Sequence, residues 1–469
     1  MEFHAVILCG PGKQLTPFSS QRATGLPKAL LPLAQRPMYE YVLDWCEKAF
    51  FPKITILCDE ESADSIKDAL EQYKAQKTAS VALASDVLEM DGDVLKFIHS
   101  IQVIEYSGSS SGQVLQFLTK NEILQPLEHF VLLPCDFITN LPPHVLIEAY
   151  RCRRDSDLGV VVYYRNQLDI EDKKHKIFPK NYTVYTDLPC GSSQLLDYYS
   201  AEDVDFHKGF KVRTQLLWKH PKTTVSTKLL NSSIFFGNSQ LIAERLAQNA
   251  NKFTDLYFAS RPLIKIVRDL ARREWQSANW NLSIGFLVVP EQADFFRANT
   301  LPVYMEANRH FLKSQARDSA GRLAAPKEKT AANVGVDSMV GEGTQLGEKT
   351  NVKRSVVGAN CTIGKRVKLT GSIILDNTVI EDDVQLENTI VGHDAVIHSK
   401  SRLTNCYVES THDVLKGTQS KGDTLLCLTL EGLVESAIES SSSEDDGSDS
   451  SFDDYEDDFA DNDDGLFGY

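Results

Sequence analysis

Four residues have types and spacing that suit phosphate chemistry. Gly10 and Gly12 follow a short apolar run, Ala5–Leu8, and Lys28 lies in the compact segment Pro27-Lys28-Ala29-Leu30-Leu31-Pro32. A strand that opens into a glycine loop can wrap a phosphate with backbone N–H donors, and a lysine one loop later can set its charge against the same oxygens. Asp136 ends a second apolar run, Val131-Leu132-Leu133-Pro134-Cys135-Asp136. A carboxylate there offers hard oxygen to a divalent cation. Each feature also has a plainer reading. The loop is a tight turn, because Pro11 removes one of its N–H groups. Asp136 is a cap or turn residue at a strand end. One carboxylate does not make a two-ligand metal site, so no metal, no cofactor and no catalytic residue is assigned.

A second chemistry is phosphorylation. Ser442, Ser443, Ser450 and Ser451 each stand three residues before an Asp, a spacing that suits an acid-directed kinase. They lie in Ser440–Tyr469, a low-complexity acidic stretch expected to be disordered, since self-repulsion is strong and apolar surface scarce. Phe452, Tyr455, Phe459 and Leu466-Phe467 give that tail short anchors for a basic surface; the alternative is a tail that only solubilises.

The elements that must position Gly10, Lys28 and Asp136 read as alternating strand and helix. Phe3–Leu8, Lys53–Cys58, Ile101–Tyr106, Phe130–Leu133 and Leu158–Tyr164 read as buried strands. Met38–Phe50, Ala63–Gln76, Gln113–Thr119 and His144–Arg153 read as helices between them. Alternation of this kind predicts a doubly wound parallel α/β sheet, with ligands beyond the carboxyl ends of the strands, where the Gly10 loop and Asp136 both fall. Ser80–Ser100 and Arg165–Asn181 read as surface insertions. Farther on, Leu229–Phe236 and Leu282–Val289 read as strands, Thr254–Arg273 as one long helix, and Phe295–Phe311 as a helix closing the first domain. The expected division is 1–311 for that domain, 312–333 for a linker, 334–415 for a repeat, 416–439 for a capping segment and 440–469 for the tail.

The repeat has a period of seventeen residues. Val340, Val357, Ile374 and Val391 superpose; so do Leu346, Ile363, Ile380 and Ile397, and so do Val352, Leu369, Leu386 and Leu403. The third set recurs nearly verbatim as VKRSV, LTGSI, LENTI and LTNCY. Sides of six, six and five residues with one inward aliphatic each predict a triangular solenoid, the left-handed parallel β-helix of hexapeptide repeats. Some hexapeptide enzymes use a His between coils for acyl transfer. His393 and His398 are the candidates, with a surface location as the plainer reading.

Charge and composition narrow the partners. Asp and Glu outnumber Lys and Arg by 65 to 49, yet sixteen of the acids lie in Gly422–Tyr469, which has no Lys or Arg, leaving 49 of each before it. The body is neutral and has no basic stripe, so nucleic acid is not an expected partner. No apolar run approaches a membrane span and no secretory signal opens the chain. The nine cysteines are scattered without a C-x-x-C pair, which fits small buried residues of a reduced cytosolic protein rather than a disulfide or zinc framework.

The Gly10–Pro32 stretch resembles the nucleotidyltransferases that join a sugar phosphate to a nucleotide, whose signature reads roughly L-A-G-G-x-G-T-R-L-x-P and then P-K-x-L-x-P. The second half is intact here. In the first, Cys9 and Pro11 intrude, and Lys13-Gln14 replaces Thr-Arg. The resemblance implies that an Asp at position 136 holds magnesium, but its second Asp would fall in Leu230–Phe236, which offers neutral side chains, and no matching lysine stands around Gln194–Tyr199. Such a domain joined to a β-helix is similar to two families: active sugar-nucleotide pyrophosphorylases, and the gamma and epsilon subunits of translation initiation factor 2B. The stretches LPKALLP, RPMYEYVLDWC, LLPCDFITNLPP, TVSTKLLNS, YMEANR, NVKRSVVG and DDGLF resemble the gamma type of fungi. That resemblance implies a non-catalytic subunit in the cytosol. It would pair with the catalytic epsilon subunit, assemble with alpha, beta and delta subunits, and help bind initiation factor 2 during GDP/GTP exchange. Gly10, Gly12, Lys28 and Asp136 would then be a vestigial nucleotide site. An active pyrophosphorylase is the rival expectation.

Overall fold

In the computed structural model, residues 3–427 are described apart from 84–95, 109, 122, 125–128, 169–176, 179, 187–192, 210–211, 213, 273–281 and 320–332. The first half is built on a ten-stranded sheet. Its spatial order is Thr223–Ser226, Tyr182–Thr186, Gln194–Tyr199, Ser283–Val288, Asp157–Arg165, Leu229–Asn238, His129–Pro134, Phe3–Cys9, Lys53–Cys58 and Ile101–Glu105. Phe3, Ala5, Ile7 and Cys9 pack into one apolar layer and Val6 into the other, the period-two alternation of a strand with helices on both faces.

The sheet is mixed, not parallel throughout. The four strands from Ile101–Glu105 to His129–Pro134 are parallel, as alternation with helices requires. Leu229–Asn238 then enters antiparallel between His129–Pro134 and Asp157–Arg165. Tyr182–Thr186, Gln194–Tyr199 and Thr223–Ser226 extend the far edge antiparallel. These last strands are short and polar, and their sequence carries little periodic signal.

Three expected helices differ in extent. Thr254–Arg273 is two helices, Asp255–Ser260 and Leu263–Arg272. Pro262 has no N–H to donate and drives Arg261 into extended backbone, φ −125° and ψ 139°. The helix expected from Ala63 spans Glu60–Leu83 and so enters the stretch read as an insertion. Phe295–Phe311 begins as a strand, Phe295–Arg297, paired with Phe137–Thr139. Its helix runs from Leu301 to Ser319, into the stretch expected as linker.

The second half is the solenoid. Three parallel ladders of six, six and five short strands climb seventeen residues per coil. The inward rows are the expected ones: Val352, Leu369, Leu386 and Leu403; Val357, Ile374 and Val391; Ile363, Ile380 and Ile397. Two of the three corners in each coil show how the chain turns so tightly. Asn360, Asn377 and Asp394 have φ of 54°, 59° and 55°, and Gly371, Asn388 and Asn405 have 63°, 50° and 53°. Glycine, Asn and Asp tolerate this left-handed region best. The ladder continues to Thr424–Leu425. The second half of the expected cap, 428–439, and the whole acidic tail with Ser442, Ser443, Ser450 and Ser451 lie outside the described residues.

One solenoid face is apolar on its outside as well. Val356, Ile373, Ile390 and Tyr407 precede the inward residues of that face. Ile373, Leu375 and Ile390 share a buried cluster with Leu15, Phe18, Leu33, Met38 and Tyr304 of the first domain. At roughly 1.5–3 kcal/mol for each fully buried aliphatic, this contact fixes the solenoid on the sheet domain. A buried ion pair reinforces it: Arg22 Nε donates to Glu409 Oε1 at 2.5 Å, and the Thr24 hydroxyl donates to the same oxygen at 3.0 Å. Met1–Leu425 accordingly forms one compact unit.

Candidate functional site

The glycine loop leaves the end of Phe3–Cys9, and Asp136 follows the adjacent parallel strand, so the sheet itself brings the two together. Gly12 sits at φ +71°, and a Cβ there would stand 3.0 Å from Lys28 Cβ; the loop needs glycine at this point. Gly10 is exposed, with open space beside it. From this packing Lys28 extends its ammonium to Asp136 Oδ2 at 2.6 Å. Gly12, Lys28 and Asp136 therefore form one connected group.

Asp136 is fully buried, and it has a second cation. Arg297 donates through Nε to Oδ1 and through a terminal nitrogen to Oδ2, both at 3.0 Å. Its other terminal nitrogen donates to the Ser233 hydroxyl at 2.7 Å. Burial alone would push the Asp136 carboxyl up; attraction to Arg297 and Lys28, with their hydrogen bonds, outweighs it and holds the pKa at about 2. Both oxygens of the carboxylate are engaged by cations of the chain itself.

Two strand irregularities produce this arrangement. The pairing of Leu229–Asn238 with Asp157–Arg165 shifts register between Asn231 and Phe235, and Ser233 takes φ +58°. Asn231 Oδ1 accepts the Ser233 N–H at 2.9 Å and Ser232 donates to the Val162 carbonyl at 2.6 Å, so the bulge is tied down at both ends. On the other side, pairing of Phe295–Arg297 with Phe137–Thr139 sets Arg297 opposite Phe137, next to Asp136.

Arg297 is the residue that motif reading misses. Gln14, which stands where the resembling enzymes carry arginine, is exposed. The arginine of this site arrives from far along the chain and faces the carboxylate. A signal was present: a charge inside the apolar stretch Phe295-Phe296-Arg297-Ala298 asks for a buried partner. Beside the site the Cys135 thiol and burial raise Cys9 well above its ordinary value. Among the described residues, no group of three or more His, Cys, Asp or Glu is placed to hold a metal ion.

The two candidate histidines of the solenoid have structural partners. His393 Nε2 meets the Thr24 carbonyl at 2.8 Å and its Nδ1 meets Asp394 at 2.8 Å, so it belongs to the contact with the first domain. His398 is held between Glu381 and Asp413, both at 2.9 Å, and these carboxylates raise its pKa. Of the other cysteines, Cys46, Cys58, Cys361 and Cys406 are buried, and Cys152 is exposed. Among the described residues, no helix is long and apolar enough to cross a membrane.

A doubly wound α/β domain with a left-handed parallel β-helix fixed against it is the class that fold and site define. Within it, residues 326–419 match the family model described as "EIF2B subunit epsilon LbH domain". The translation initiation factor eIF2B subunit gamma of Schizosaccharomyces pombe is 30% identical over 373 residues, covering 75% of this chain and 74% of that protein. The chain belongs to the family of eIF2B gamma subunits, and its role is that of a translation initiation factor 2B subunit.

Proposed function

We propose that this chain works as a non-catalytic, cytosolic subunit in the exchange of GDP for GTP on initiation factor 2. It pairs with a catalytic epsilon subunit, assembles with alpha, beta and delta subunits, and helps hold the substrate factor. The observation that carries the non-catalytic part is Asp136, neutralised by Lys28 and Arg297 inside the fold. A divalent cation between phosphates needs carboxylate charge that is free to coordinate it. Here that charge is already compensated, and the neighbouring bulge offers Ser232 and Ser233 in place of a second acid. The residues do not fit a magnesium ion, and no nucleotidyl transfer is derived from them. Gly10, Gly12, Lys28 and Asp136 are read as a vestigial nucleotide site in which internal ion pairs stand where metal and phosphate would have been. The binding role rests on the solenoid and on family membership.

Two measurements test this reading. The purified chain is incubated with magnesium, each nucleoside triphosphate and common sugar 1-phosphates; the expected result is no sustained pyrophosphate release. Steady release at an enzyme-like rate would restore the pyrophosphorylase reading. Purification of the tagged chain from cells at moderate salt should bring down the other factor 2B subunits. Their absence would overturn the assembly role.

A further inference from the structure

The helix Leu301–Ser319 and one corner of the solenoid enclose a cavity of about 580 Å³ that the preceding reading does not use. Its wall is cationic. Arg309, Lys313 and Arg317 recur every fourth residue and so share a helix face, and Arg354 joins them from the solenoid. Two acids also line it. Glu306 is shared by Arg309 at 3.2 Å and Lys313 at 3.4 Å. Asp337 accepts the backbone N–H of Arg354 at 3.4 Å. Arg309 is oriented by Asn388, whose Oδ1 accepts from it at 2.9 Å. Gly371, at φ +63°, leaves the space: a Cβ there would lie 2.7 Å from Asn388 Oδ1 and 3.3 Å from the Arg309 guanidinium. Arg317 and Arg354 are exposed and pair, through their side chains, with no described residue.

We propose that this cavity binds the phosphate group of a small phosphomonoester, independently of the Asp136 site. Four cations face two carboxylates, and three of the four are guanidiniums, whose fork of donors matches phosphate oxygens. The volume falls in the roughly 300–1,000 Å³ range of small-molecule sites, which favours a compact anion over an extended acidic peptide. Such a ligand would bridge the last helix of the first domain and the solenoid corner.

The test is calorimetry on the full-length chain with glucose 6-phosphate, inorganic phosphate, glucose and an unphosphorylated acidic dodecapeptide as probes. Both phosphates should bind and glucose should not. Binding of glucose 6-phosphate alone would still place the phosphate in the cavity, with the sugar adding affinity. The double variant Arg317→Gln/Arg354→Gln should bind at least about tenfold more weakly, with an unchanged melting temperature, because neither side chain supports the fold. Phosphate affinity unchanged in the double variant would place the anion elsewhere and overturn the proposal. So would no binding of either phosphate at millimolar concentration, equal binding of glucose, or tighter binding of the dodecapeptide.

Discussion

Arg297→Met is the sharpest perturbation of the buried triad. The substitution keeps the length and apolar stem of the side chain and removes its charge and donors. Asp136, fully buried, would keep Lys28 and lose both hydrogen bonds from Arg297, and Ser233 would lose the third that this guanidinium makes. Breaking a buried ion pair from one side costs about 3–5 kcal/mol, since the remaining charge stays buried with less compensation. In a domain of 150–250 residues each kcal/mol lowers the melting temperature by roughly 2–4 °C, and a larger unit shifts less, so the expected drop is about 5 °C or more at neutral pH. Asp136→Asn should lose a similar amount, and the double variant should lose much less than the sum, because the Asp136–Arg297 pair is then removed from both sides and only Lys28 is left without its carboxylate. The pH dependence follows from the depressed carboxyl. A pKa of about 2 in place of the ordinary 3.8 contributes on the order of 2 kcal/mol, present above pH 4 and lost as pH falls toward 2. The gap between the wild-type chain and Arg297→Met should therefore narrow below about pH 4. Thermal melting by circular dichroism across pH 2–7 reads all of this. An unchanged melting temperature for Arg297→Met, or strict additivity in the double variant, would refute the coupling of these three side chains.

The remaining predictions concern the solenoid and the tail. Ile390→Asp buries an unpaired carboxylate between solenoid and sheet domain and should cost several kcal/mol, whereas Val379→Asp, on an exposed outward position of another face, should shift stability by no more than about 0.5 kcal/mol; equal effects would mean that the Ile390 face is not covered. Glu409→Gln leaves Arg22 buried opposite a neutral amide and should lower stability by about 1–3 kcal/mol, read as faster proteolysis between the two halves, while an unchanged cleavage rate would argue against the ion pair. Deleting Ser440–Tyr469 should slow association with initiation factor 2 at low salt and not at high salt, since charge acting over a Debye length of about 8 Å mainly raises encounter rates. Phosphates on Ser442, Ser443, Ser450 and Ser451 should strengthen that effect, and an unchanged rate at low salt leaves only a solubilising role.

Repetition and periodicity carried the large features of this protein in its sequence. A solenoid can be read from one dimension because each coil contacts only its neighbours, so seventeen-residue spacing maps directly onto stacked rows such as Val352, Leu369, Leu386 and Leu403. The parallel half of the sheet was legible for the same reason, as strand and helix alternate locally. The loop, Lys28 and Asp136 were placed by a compact motif. What sequence did not decide lies in contacts between distant segments. The second apolar row, Val356, Ile373, Ile390 and Tyr407, is visible in the sequence, but which surface covers it is settled only when Leu15, Phe18 and Tyr304 arrive there. Pro262 could be seen to break a helix, whereas the antiparallel entry of Leu229–Asn238 depends on which edge of the growing sheet is open. Arg297 is the clearest case. Its approach to Asp136 rests on a three-residue strand pairing and a bulge at Ser233, and the free energy that selects them comes from neutralising a buried carboxylate that no local stretch of sequence contains together with its partners.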